Sequence, residues 1–112
     1  MLFRSREIAR LLAREVRTVD RVARFGGEEF AVLLVQTDAT STLDVAARLC
    51  ATIAGEPFTA AGVAGLRVTI SAGVASLPND ARPAGELIAA ADKALYAAKA
   101  RGRNRVVAFA EI

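Results

Sequence analysis

The chain has 112 residues, of which 54% are hydrophobic and 24% charged, with a net charge of +3. That is about one domain with an ordinary core, and no stretch of about 18 apolar residues is free of charge, so no membrane span or membrane contact is read. The absence of histidine and the single cysteine, Cys50, exclude Ser-His and Cys-His nucleophile systems, His-ligated zinc and any internal disulfide. Carboxylates, Lys, Arg, hydroxyls and backbone amides remain, which points to hard divalent cations and phosphate esters. All basic residues except Lys93 and Lys99 are arginine, a side chain suited to paired hydrogen bonds with phosphate. The lone cysteine and the lack of a secretory signal lead to an expected cytoplasmic location.

In chain order, Ile8, Leu11, Leu12, Val16 and Val19 predict a helix over 6–19, with Ser5 at its start. Arg21–Phe25 and Phe30–Val35 read as two strands of a hairpin around Gly26-Gly27-Glu28-Glu29, because adjacent glycines tolerate positive φ. Val32-Leu33-Leu34-Val35 is apolar on both faces, the pattern of a covered central strand. Ser41–Ala54 predicts a second helix with Leu43, Ala46, Ala47, Cys50 and Ile53 inward and Ser41 and Asp44 as its cap. A loop is expected over Gly55–Gly65. The alternation of Leu66, Val68 and Ile70 with Arg67, Thr69 and Ser71 predicts a strand, and Pro78–Pro83 a connection. Glu86–Arg101, with Leu87, Ile88, Ala91, Leu95 and Ala98, predicts a third helix ended by Gly102, and Val106–Phe109 a last strand. The expected order, α-β-β-α-β-α-β, is an α/β sandwich with helices packed on one sheet.

Two stretches carry chemistry. Glu28 and Glu29 sit side by side on a tight turn, where two carboxylates about 5 Å apart repel by about 3 kcal/mol at intermediate dielectric. A divalent cation reverses that cost, and Gly26 and Gly27 allow a phosphate or sugar close to the backbone. Two solvated acids on an exposed turn fit the same five residues. Lys99 and Arg103 stand four apart across a helix C-terminus, as a phosphate clamp or as cations favoured there by about 0.3–1 kcal/mol.

Taken together, these segments resemble the GGDEF family of diguanylate cyclases, which condense two GTP into cyclic di-GMP. Gly26-Gly27-Glu28-Glu29-Phe30 is similar to the family's signature in its GGEEF form, with Arg24 two residues before it. Ser71-Ala72-Gly73-Val74-Ala75 resembles an S-x-G-V-A strand. Ala91-Asp92-Lys93-Ala94-Leu95-Tyr96 with Ala98-Lys99 and Gly102-Arg103-Asn104 resembles A-D-x-A-L-Y-x-A-K-x-x-G-R-N. The resemblance implies a ferredoxin-like, nucleotide-cyclase palm-type α/β sheet with packed helices over 6–112. It implies that Glu28 binds Mg2+ (or Mn2+) and helps activate the ribose 3′-hydroxyl, with Glu29 as a supporting catalytic acid. Gly26 and Gly27 would lie against GTP, and Lys99 and Arg103 would hold its phosphates. Two GTP-loaded domains would face each other as a homodimer. Arg17-Thr18-Val19-Asp20 falls where the family's R-x-x-D product site sits, so Arg17 and Asp20, joined by Arg48, are expected to bind cyclic di-GMP.

The sequence departs from the family upstream. The family's first strand and helix bring an Asp metal ligand and an F-K-x-x-N-D stretch that reads guanine. Here no aspartate precedes Asp20 and no asparagine precedes Asn79. Met1–Ser5 fits no family segment, and Leu2-Phe3-Arg4-Ser5 is what a sequencing-adapter end encodes, so 1–5 is expected to be a non-native leader on a truncated domain. The segment is expected to be an inefficient cyclase by itself; the parent protein could still be membrane-tethered. A non-catalytic cyclic di-GMP receptor is the alternative, although the intact Glu28 argues against degeneration. An RNA-binding module is disfavoured, because Glu28 and Glu29 would repel the RNA backbone and aromatics are only 5%.

Overall fold

The computed structural model describes residues 5–26, 29–60, 62–77 and 84–112. Among them lie three helices and six short strands: α1 (Ser5–Glu15), β1 (Arg21–Gly26), β2 (Glu29–Leu33), α2 (Ala39–Gly55), β3 (Phe58–Ala60), β4 (Val63–Leu66), β5 (Ala72–Val74), α3 (Ala84–Ala100) and β6 (Val106–Ala108), followed by a 3-10 turn at Phe109–Glu111. The expected mixed α/β class holds. The single sheet does not, because the strands form three two-stranded ladders: β1–β2 and β3–β4 antiparallel, β5–β6 parallel. None of the described helices is long and apolar enough to cross a membrane.

α1 ends four residues earlier than the periodicity predicts, and the cause is local. The Asp20 carboxylate accepts the Arg17 backbone N–H at 2.9 Å, and the Asp20 N–H donates to the Arg17 carbonyl at 2.9 Å. Asp20 thereby takes an amide that the helix would need for its own ladder, and the chain turns through 17–20. Ile8 and Leu12 of α1 pack with Leu49, Ile53 and Phe58 into the main core, against which Val22, Phe30, Val32, Val68 and Ile70 lie half-buried. α2 buries Ala46, Leu49, Cys50 and Ile53, so Leu49 stands where the sequence suggested Ala47. Its cap is Asp38, accepting from the Ser41 N–H at 2.7 Å, in place of the expected Ser41–Asp44 pair.

The β1–β2 hairpin forms as expected, with Val22 opposite Val32 and Gly26 opposite Glu29. Its outer face is not covered by described residues: Phe25 is 62% and Leu33 55% exposed, and the strand ends at Leu33. The covered central strand over 32–35 is therefore a correction. So is the loop at 55–65, where Phe58 enters the core and opens the β3–β4 hairpin. The predicted strand over 66–71 is irregular beyond Leu66, although Val68 and Ile70 still face the core.

The C-terminal unit, β5–α3–β6, is a parallel crossover. A Cβ on Gly73 would lie 2.2 Å from the Ala91 carbonyl oxygen and 2.2 Å from the Leu95 nitrogen, so only glycine lets α3 sit this close. Small residues follow from that approach. Ala90, Ala94 and Ala98 form the buried stripe, whereas Ile88, expected inward, is 52% exposed. Gly102, at φ +117°, ends α3 as predicted. The expected Pro78–Pro83 connection and the 1–4 part of the leader lie outside the described residues.

Candidate functional site

Arg17 and Asp20 form the most densely bonded polar group described. Arg17 Nε donates to Asp20 Oδ2 at 3.1 Å and Nη2 to Oδ1 at 3.0 Å, a fork-on-carboxylate geometry. Nη2 also reaches the Val35 carbonyl, and Thr37 Oγ1 at 2.9 Å. Asp20 Oδ1 further accepts the Val35 N–H at 3.0 Å. Asp20 thus binds four N–H groups with a side chain only 2% exposed, which fills the roughly four acceptor positions of a carboxylate. The Arg17 fork, then the Val35 amide, hold its carboxyl down at about 2, against an ordinary 3.8. The same hydrogen bond pushes the Arg17 guanidinium further up.

The expected trio meets. Arg17, Asp20 and Arg48 line one surface cavity of about 360 Å³, together with Glu15, Thr37 and Asp38. Arg48 reaches it from α2; its Nη2 donates to the Glu15 carbonyl at 2.6 Å, and its Nε lies 3.7 Å from Glu15 Oε2. Arg17 and Arg48 keep 55% and 52% of their side chains exposed, so both guanidiniums remain open to a ligand. Asp20 differs, since contact with a guanine would require one of its four bonds to open. The helical placement of Arg17 is corrected: it stands with Asp20 on the turn after α1.

Of the signature, Gly26 closes β1 and Glu29 opens β2, opposite one another. Gly27 and Glu28, including the metal and catalytic role expected of Glu28, lie outside the described residues. A Cβ on Gly26 would meet nothing within 4 Å, so the space before it is open. Glu29 is half-buried. Among the described residues no three His, Cys, Asp or Glu side chains gather into a group that could hold a metal ion.

Lys99 lies in the last turn of α3, and Arg103 on the reversal that follows, at φ +61°. The Arg103 N–H donates to the Ala98 carbonyl at 3.0 Å, so the clamp pair sits on one helix end. No hydrogen bond or ion pair among the described residues joins either side chain to Gly26 or Glu29.

Glu15, Thr37 and Asp38 are not singled out by the sequence. For Asp38 a signal exists, an acid three residues before Ser41 where an N-cap belongs. Glu15 and Thr37 carry none, because they meet Arg48 and Arg17 only through the turn at 17–20.

The family model described as diguanylate cyclase, GGDEF domain, matches residues 6–105. The chain is 43% identical over 103 residues to response regulator PleD of Caulobacter vibrioides, covering 91% of this chain and 23% of that protein. Among solved structures, it is similar to the active GGEEF domain of a diguanylate cyclase from Vibrio cholerae, with a TM-score of 0.81, 28% identity, and 92% and 64% of the two chains covered. It is likewise similar to the GGDEF domain of DgcB from Caulobacter crescentus in complex with c-di-GMP, at TM-score 0.78 and 25% identity, covering 93% of this chain and 64% of that one. The chain thus spans about a quarter of the curated relative and just under two thirds of each solved domain. With its signature hairpin, its S-x-G-V-A contact and its A-D-x-A-L-Y helix all in family order, the chain belongs to the GGDEF family of diguanylate cyclase domains.

Proposed function

We propose that this domain condenses two GTP into cyclic di-GMP and binds that product in the cavity of Arg17, Asp20 and Arg48. The observation that carries the proposal is the meeting of those three side chains around one cavity, at the base of the hairpin that bears the signature. In the reaction, a ribose 3′-oxygen attacks the α-phosphate of the facing GTP, the bond to the β-phosphate breaks and pyrophosphate leaves. Glu28 would take the hydroxyl proton, with Glu29 beside it, and the open space before Gly26 would admit the nucleotide. Lys99 and Arg103 would bind phosphate oxygens. The proposal includes Mg2+ or Mn2+ held by Glu28, which would supply charge to offset that of the phosphates. Each product molecule needs two bonds, so two domains would meet as a homodimer about a twofold axis. The proposed setting is the cytoplasm.

No residue before Asp20 supplies the family's aspartate, so the 112 residues are proposed to turn over GTP poorly by themselves. One observation also favours a receptor that binds product without making it: Arg17, Asp20 and Arg48 all line one cavity. Product binding is common to both readings and is tested directly. Arg17→Ala removes a charged fork typically worth about ten- to a hundred-fold in affinity. Calorimetric titration of cyclic di-GMP should show that loss, with both proteins folded by circular dichroism. Equal binding to both would overturn the assignment.

A further inference from the structure

The cavity wall carries more negative than positive charge. Glu15, Asp20 and Asp38 stand against Arg17 and Arg48. Two of the carboxylates are already engaged, Asp20 by the Arg17 fork and Asp38 by the first turn of α2. Glu15 is the third. It is the last residue of α1, where the helix dipole adds further negative potential, and its carboxylate lies 3.7 Å from Arg48 Nε. Its other cation, Arg14, is 3.9 Å away and 63% exposed, a pair that solvent weakens.

We propose that Glu15 sets the affinity of this cavity for phosphate-bearing ligands by competing with them for Arg48. The inference rests on the product-binding reading of the cavity. A phosphodiester that reaches Arg48 shares its guanidinium with the Glu15 carboxylate and lies beside it, like charge against like. The backbone bond from Arg48 Nη2 to the Glu15 carbonyl does not depend on the Glu15 side chain, so Arg48 stays at the cavity when that charge is removed.

Glu15→Gln keeps the length and an acceptor while deleting the charge. Cyclic di-GMP should bind the variant about three- to ten-fold more tightly than the unaltered chain, equivalent to about 0.6–1.4 kcal/mol. The ratio should shrink between about 20 mM and 500 mM salt as screening shortens the reach of the charge. A role confined to holding α1 on α2 would give weaker binding, and would leave the ratio insensitive to salt. Equal or weaker binding by a folded variant, with the unaltered chain binding, overturns the inference alone. Glu15→Ala should shift affinity in the same direction, and unfolding of both variants would overturn the inference by making Glu15 structural. Failure of the unaltered chain to bind would instead overturn the cavity reading on which it rests.

Discussion

Around Asp20 the chain is joined by polar bonds: four N–H groups, three from Arg17 and one from Val35, converge on one carboxylate and join the turn after α1 to the segment that follows β2. At β5–α3–β6 the joint is made by contact, with Gly73 against the backbone of α3 and alanines filling the seam. The first kind of joint depends on charge and therefore on pH. It also leaves arginine side chains exposed beside the cavity. The second kind is indifferent to pH and tolerates no added volume. Only the first presents groups able to bind a phosphate, since alanine packing offers none.

The sharpest way to break this contrast is at Gly73. Gly73→Val would put a Cβ 2.2 Å from backbone atoms of α3, and backbone cannot rotate aside as a side chain can. A loss on the order of 3 kcal/mol is expected, read as a fall in the urea midpoint at any pH between about 5 and 8. A variant as stable as the unaltered chain would show that α3 can lift off β5.

Next in size is Asp20→Asn, which should lower the melting temperature by about 5–10 °C near neutrality. Its dependence on pH separates it from Gly73→Val. The folded value of Asp20, about 2, lies below the ordinary 3.8, so its contribution is complete above about pH 5 and is lost as pH falls toward 2. The gap in melting temperature between the unaltered chain and the Asn variant should therefore be widest above about pH 5 and close by about pH 2. A gap that stays constant would assign the effect to shape instead of charge. The smallest change is expected from Asp38→Ala, which removes the cap of α2 and should lower the melting temperature by about 2–6 °C, measured by circular dichroism.

The same contrast explains how much the sequence discloses. Paired glycines between apolar runs are enough for the β1–β2 hairpin, and helical periodicity is enough for α2 and α3. The trio of Arg17, Asp20 and Arg48 is singled out through resemblance and spacing, and its members do line one cavity. The end of α1 is not legible, because a side chain five residues beyond Glu15 decides it. Periodicity carries apolar information and is silent about a carboxylate that captures a backbone amide. The buried face of α3 departs from expectation at Ile88 for the opposite reason. Hydrophobicity ranks isoleucine above alanine, but Gly73 brings the backbones so near that only alanine fits. At 66–71 the alternation is real without a ladder partner among the described residues, so Val68 and Ile70 point inward from an irregular chain.

The bond from the Val35 amide to Asp20 lies just beyond the last hairpin pair, Arg21 with Leu33. It acts as a gauge of strand alignment. A slip of β2 by one residue would turn Phe30 and Val32 away from the core and carry the Val35 amide about 3.3 Å along the strand, out of reach of the carboxylate. Alignment is thus checked at the end of the ribbon opposite the glycines. Misaligned hairpins forfeit both their apolar face and this bond, so Gly26 and Glu29 meet as partners in the one alignment that also completes the cavity of Arg17.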